Sequence, residues 1–323
     1  MKAIFKTFFL LVVFAGFAKT AGAQTAAILL FDSVQIIDYT GPYEVFGPAF
    51  KVITVSEKPG MLRTVNNMKV TADYSIDNSP TPDILVLPGG AGVRAAANNP
   101  RLITWIQEKT KTAKVVMSVC NGAFFLQRAG LLDGLTVTTT ASFIDSLQAL
   151  VPTAKVVRDK RFVDNGKIIT TAGLTAGIDG ALHVVGKLLG SGWEPTVARM
   201  EEYNWDPTST YAAASLADNN AWGILRLFDF EIDCDALTYE GDKDKWHGEY
   251  NVRAGTSADS LFDRLNKEIV KRQHWALQKE DRQTTTSTWQ FTGIDKANWM
   301  GELVVKAGNT AGLSNVRLRV WRL

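Results

Sequence analysis

The chain has 323 residues, 46% of them hydrophobic and 21% charged, with 35 Lys and Arg against 33 Asp and Glu. That length accommodates two domains with a sizeable core, and the composition excludes a long disordered, collagenous or coiled-coil chain. Two cysteines and three histidines (His183, His247 and His274) exclude a disulfide framework, a four-cysteine zinc site and a His-rich metal cluster, and a formal charge of +2 gives no footprint for nucleic acid.

Residues 1–23 read as a secretory signal peptide. Lys2 and Lys6 form a basic head, residues 8–17 an apolar stretch, and Ala21-Gly22-Ala23 a small-x-small cleavage site. The apolar stretch is too short to span a hydrocarbon core of roughly 30 Å as a helix. Cleavage before Gln24 and a periplasmic or secreted mature chain are expected, the alternative being an uncleaved membrane anchor. Loss of Lys2, Lys6 and Lys19 leaves a net charge of −1.

Continuous apolar runs then predict buried strands at 26–31 (AAILLF), 50–55, 83–87 (DILVL) and 114–119 (KVVMSV). Helical spacing predicts helices at 102–109 and 122–129. Further strands are expected at 136–140, 155–158, 162–164 and 168–171, and a helix at 176–189. Strands alternating with helices give a parallel sheet covered on both faces. The texture changes after Trp205. Residues 206–220 read as a linker or late helix, and 221–323 as a small α+β domain with one helix near 257–271 and strands near 289–291, 302–305 and 316–321. Seven of the nine tryptophans lie from Trp205 onward, as core or as a sugar- or peptide-binding face.

The chemistry concentrates at strand ends. Cys120 sits between the strand 114–119 and a helix, on a turn that holds a nucleophile exposed, and the helix N-terminus favours thiolate over thiol. Pro88-Gly89-Gly90 ends another strand and can turn backbone N–H groups toward a ligand. With the N–H of Asn121 these could form an oxyanion hole. Asp38 and Glu44 follow the first strand, and ligands of parallel sheets bind beyond such carboxyl ends. Glu44 is otherwise an ordinary first-turn helix carboxylate, and Cys120 otherwise a buried, inert thiol. Cys234 lies among Asp229, Glu231, Asp233 and Asp235, which disfavour its thiolate. The Gly-rich segments lack dinucleotide and P-loop spacings, so neither a cofactor nor a metal is expected.

These stretches resemble the ThiJ/PfpI family of the class I glutamine-amidotransferase-like superfamily, above all its isonitrile-hydratase-like branch and the sensor domains of AraC-type regulators. The likeness rests on DYTGPYEVF from Asp38, DILVLPGG from Asp83, SVCNGAFFLQRAGLLDG from Ser118 and TTAGLTAGIDGALHVV from Thr170. It implies a flavodoxin-like α/β sandwich with a nucleophile elbow, followed here by an unrecognised domain. It makes Cys120 the nucleophile, Asp38 its acidic partner, and the backbone of Gly89, Gly90 and Asn121 the oxyanion hole. It also implies a homodimer. The branch usually has Thr where this chain has Asn121, and Thr140 stands where the family often has a His. The expected activity is a cysteine-dependent hydratase or hydrolase for a small carbon–nitrogen compound. A ligand-binding or redox-sensing module using the same pocket is the alternative, and a small molecule is the expected partner in both.

Overall fold

The apolar run after Gln24 becomes a central strand because nothing in it tolerates water. Ala26, Ala27, Ile28 and Leu29 are wholly buried, and each large aliphatic side chain so placed contributes roughly 1.5–3 kcal/mol. The structure is a computed structural model that describes residues 24–209, 211–310 and 312–323. The expected signal peptide, residues 1–23, lies outside the described residues. These divide into two compact units: 24–137, 150–155 and 162–207 form the first, and 138–149, 156–161 and 208–323 the second.

The first unit is built on strands β1 (Thr25–Leu30), β2 (Lys51–Ser56), β3 (Tyr74–Ser75), β4 (Ile84–Leu87), β5 (Val115–Ser118), β6 (Phe162–Asp164) and β7 (Ile168–Thr171). Their order is β6-β7-β5-β4-β1-β2-β3. All neighbours run parallel except β6 and β7, which form an antiparallel pair. Every residue of β4, β5 and β7 is buried, as expected of parallel strands covered on both faces. The helices are α1 (Ile36–Phe46), α2 (Pro100–Thr112), α3 (Ala123–Arg128), α4 (Ala176–Leu189) and α5 (Trp193–Met200). Helix α2 starts where Asn99 accepts from the Arg101 N–H at 3.0 Å with Pro100 in the first turn, a cap that satisfies an otherwise orphaned donor. The architecture is the flavodoxin-like α/β class expected.

The second unit carries a six-stranded antiparallel sheet: β8 (Cys234–Gly241), β9 (Lys245–Val252), β10 (Ala276–Asp281), β11 (Thr286–Thr292), β12 (Asn298–Ala307) and β13 (Ser314–Arg322), in the order β8-β9-β13-β12-β11-β10. Strands β9 and β13 alternate buried with partly exposed residues, the period-2 signature of a sheet with one core face. Helices α6 (Trp222–Phe230) and α7 (Ala258–Gln273) supply Leu225, Leu227, Leu261, Phe262 and Leu265 to the same core. Trp246, Trp275, Trp289 and Trp299 are buried in it, so these four form core rather than a ligand face.

Three expectations change here. The strands expected at 136–140 and 155–158 shrink to Thr136–Val137 and Lys155–Val156. After Val137 the chain turns into the 3-10 helix Ala141–Phe143, and Thr138 spends its hydroxyl on the Val157 carbonyl at 3.0 Å. Residues 206–220 are no simple linker: Ala212, Ala214, Ala217 and Asn220 are buried, and Ala217 joins the second core. The second unit also draws in residues 138–149 and 156–161. There Arg161 donates to the Tyr211 carbonyl at 3.0 Å, a long-range tie that no contiguous reading of the sequence reveals.

Candidate functional site

Four adjacent parallel strands, β7, β5, β4 and β1, end on one side of the sheet. The chain therefore brings the segments that follow them together: Leu174 after β7, Cys120 after β5, Gly89 and Gly90 after β4, and Asp38 in the first turn of α1 after β1. This is the place where parallel α/β sheets put their ligands.

Cys120 occupies the left-handed region, with φ of 58°. A residue with a Cβ avoids that region unless its surroundings impose it, at a cost on the order of 1 kcal/mol or more. The restraints are visible. The Cys120 N–H donates to the Ala172 carbonyl at 2.9 Å, the Val119 N–H to the Leu87 carbonyl at 3.0 Å, and Gly122 N–H to the Val119 carbonyl at 2.9 Å. Gly122 cannot be larger, because a Cβ there would lie 2.0 Å from the Leu87 carbonyl oxygen. The expected helix after the cysteine opens as the 3-10 turn Cys120–Gly122 before α3 begins.

Asp38 is fully buried. Its Oδ2 accepts from the Gly89 N–H at 3.1 Å and its Oδ1 from the Leu174 N–H at 3.1 Å. Burial raises the carboxyl, and the backbone donors of Leu174 and Gly89, with the Cys120 side chain nearby, pull it back only in part, so it is pushed up to about 6. A carboxyl so placed can hold or release a proton near neutral pH. Leu174 is the partner that sequence reasoning missed. It too is left-handed, with φ of 56°, so two strained residues flank one buried carboxylate.

Gly89 lies at the centre. A Cβ on it would meet Asn121 Oδ1 at 2.4 Å, Asp38 Oδ2 at 2.7 Å and Cys120 Cβ at 2.7 Å. Gly90, at φ of 140°, pairs with the Asn121 amide on both sides: its N–H donates to Asn121 Oδ1 at 2.8 Å and its carbonyl accepts from Asn121 Nδ2 at 3.0 Å. The expected oxyanion hole is corrected accordingly. Its Gly89 donor serves Asp38 and its Gly90 donor serves Asn121; the Asn121 N–H is the remaining member of the expected set.

The other expected residues lie in their own elements. Glu44 is exposed and sits in the last turns of α1, not the first, because the helix already starts at Ile36. Thr140 is half-buried at the head of the turn Ala141–Phe143 and groups with the second compact unit. His183 faces Asp164, with Nε2 2.8 Å from Oδ2, and Lys187 donates to the same oxygen at 2.7 Å. Cys234 starts β8 and its thiol donates to the Phe228 carbonyl at 3.2 Å. Burial, with Asp235, Asp229 and Asp233 beside it, pushes that thiol up. Neither cysteine takes part in a disulfide.

The model of the DJ-1/PfpI family matches residues 24–187. An isonitrile hydratase of Pseudomonas putida is 33% identical over 184 residues, 56% of this chain and 79% of that protein. The HTH-type transcriptional regulator GbdR of Pseudomonas aeruginosa is 24% identical over 188 residues, 56% of this chain and 51% of the regulator. Among solved structures, a ThiJ/PfpI family protein from Pseudomonas syringae aligns with a TM-score of 0.53 at 28% identity, covering 58% of this chain and 78% of its own. Residues 188–323 lie beyond the family match.

Proposed function

The chain belongs to the DJ-1/PfpI family, and from that premise we propose that it is a cysteine-dependent hydratase or hydrolase acting on a small carbon–nitrogen compound, with Cys120 as nucleophile and Asp38 as acid–base partner. The observation that carries this reading is the convergence on Gly89 of Cys120, held left-handed on the elbow, and the fully buried Asp38, whose carboxyl burial has raised to about 6. The thiol proton passes to Asp38 and the sulfur attacks the electrophilic carbon. Asp38 then returns the proton as charge develops on the substrate. For an isonitrile, R–N≡C, addition of S–H across the terminal carbon gives R–N=CH–S–Cys. Water adds to that carbon, the thiolate leaves with its bonding pair and recovers a proton, and the product is the N-substituted formamide. The name of the Pseudomonas putida relative supports this substrate class.

The test is turnover of isonitriles, nitriles and amides by the wild type and by Cys120→Ser and Asp38→Asn. Loss of turnover in both folded variants supports the reading; unchanged turnover in Cys120→Ser sinks it. The second reading is a ligand-binding or redox-sensing module in which the same pocket turns nothing over, and the likeness to a transcriptional regulator favours it. Saturable ligand binding by Cys120→Ser, with no turnover by wild type, would establish it. We further propose export through residues 1–23, on the basic head, apolar stretch and cleavage site, and a homodimer, on the family resemblance. The N-terminal sequence and the solution mass of the mature protein test these two proposals.

A further inference from the structure

Asn121 spends both ends of its side-chain amide on one residue, Gly90. Its Oδ1 takes the Gly90 N–H at 2.8 Å and its Nδ2 reaches the Gly90 carbonyl at 3.0 Å. The Gly89–Gly90 peptide is also held from the other side: the Gln35 N–H donates to the Gly89 carbonyl at 2.8 Å, and Val34 bridges Gly90. The Gly89-Gly90 turn is thus clamped between the segment before α1 and the elbow. Gly89 Cα, one residue before the clamped N–H, abuts Cys120 Cβ closely enough to leave no room for a methyl group.

Acyl transfer and hydration ask different things of such a site. Attack of sulfur on an ester or amide carbonyl moves the C=O π pair onto oxygen, and the full negative charge must be held by preorganised donors until the leaving group departs. Addition of S–H to an isonitrile carbon ends with that carbon taking the proton, so the charge is quenched by an acid rather than held by hydrogen bonds. Here the acid, Asp38, and Cys120 crowd the same face of Gly89, and two of three expected backbone donors are engaged.

We infer that Asn121 is a positioning residue that sets substrate class: by occupying the Gly90 N–H it disables acyl transfer and leaves the pocket to substrates whose charge is discharged by protonation. The inference rests on the reading of Cys120 as nucleophile. Removing the Asn121 side chain exposes the Gly90 N–H beside the elbow and opens the acyl route.

The test uses the mature chain with p-nitrophenyl acetate as probe. The Cys120 sulfur would take the acetyl group, the thiol proton would pass to Asp38, and p-nitrophenolate would leave with the bonding pair. Its release and the mass of the Cys120 peptide are followed together. Asn121→Ala is expected to speed acetylation of Cys120 about tenfold, below the 10²–10³-fold typical of a full oxyanion donor. Asn121→Asp, whose carboxylate still accepts from the Gly90 N–H, is expected to show no gain. A merely structural loss would slow both variants. Unchanged or slower acetylation in Asn121→Ala, or an equal gain in Asn121→Asp, overturns the inference; if Asn121→Ala does not fold, Asn121→Ser carries the same expectation. Failure of Cys120 to acetylate in every variant, wild type included, removes the nucleophile reading itself; acetylation that ignores Asn121 removes only this inference.

Discussion

The two cysteines occupy opposite kinds of place. Cys120 is held at φ of 58° on a strand-to-helix turn, where it and the buried Asp38 carboxyl crowd Gly89. Cys234 begins an edge strand, gives its thiol to a backbone carbonyl, and has its proton retained by burial and three aspartates. Both are half-buried, so exposure does not distinguish them. The difference lies in the partner: a carboxyl that exchanges protons near neutral pH in one region, negative charges that only repel a thiolate in the other. In the proposed function, it is the turn and the carboxyl that set Cys120 apart from Cys234.

That contrast breaks most completely through Cys120, the proposed nucleophile. Cys120→Ala should cost at least about 10³-fold in turnover, whereas Cys234→Ala should stay within about twofold, as measured by kcat/KM on the best substrate. Comparable losses would mean that the two sites are not distinct. The elbow itself is tested next. Gly122→Ala drives a Cβ to 2.0 Å from the Leu87 carbonyl and should destabilise the protein by about 3 kcal/mol in denaturant unfolding.

The carboxyl has its own signature. Asp38 is raised in the folded chain from 3.8 to about 6, so between those values the folded state binds the proton that the unfolded state has lost. Stability therefore falls as pH rises from about 4 to about 6, by roughly 3 kcal/mol at 1.36 kcal/mol per unit. Asp38→Asn should abolish that slope. The difference between the two unfolding curves isolates it from carboxylates such as Asp83 and Asp164, which are held below their ordinary range against the opposing effect of burial. A variant as pH-dependent as wild type would show that burial is not what sets Asp38. The smallest effect sharpens the other half: Asp235→Asn should speed iodoacetamide alkylation of Cys234 at pH 8 about twofold, because one exposed charge acts weakly through solvent, and leave Cys120 unchanged.

Much of this was legible in the sequence. Residues 162–164, 168–171 and 176–189 form the expected elements at the expected positions, because side-chain periodicity and turn residues act locally. Cys120, Asp38, Gly89 and Asn121 could be singled out because each follows a strand, and parallel strands share one carboxyl edge. The short edge strand β3 and helix α5 escaped. Tyr74–Ser75 is too short to show a pattern, and Pro195 reads as a break although it is tolerated in the first turn of Trp193–Met200.

The sequence alone thus determined the class of fold, the order of its strands along the chain and the residue types gathered at its edge, since these follow from burial patterns and local turn chemistry. Tertiary structure alone decided which donor serves which acceptor. Leu174 reaches Asp38 across 136 residues, and Gly90 meets Asn121 across 31. It also decided that 138–149 and 156–161 group with the second unit. A hydrogen bond of about 3 Å depends on the exact register and separation of strands far apart in the chain, and no local pattern of residues encodes that separation.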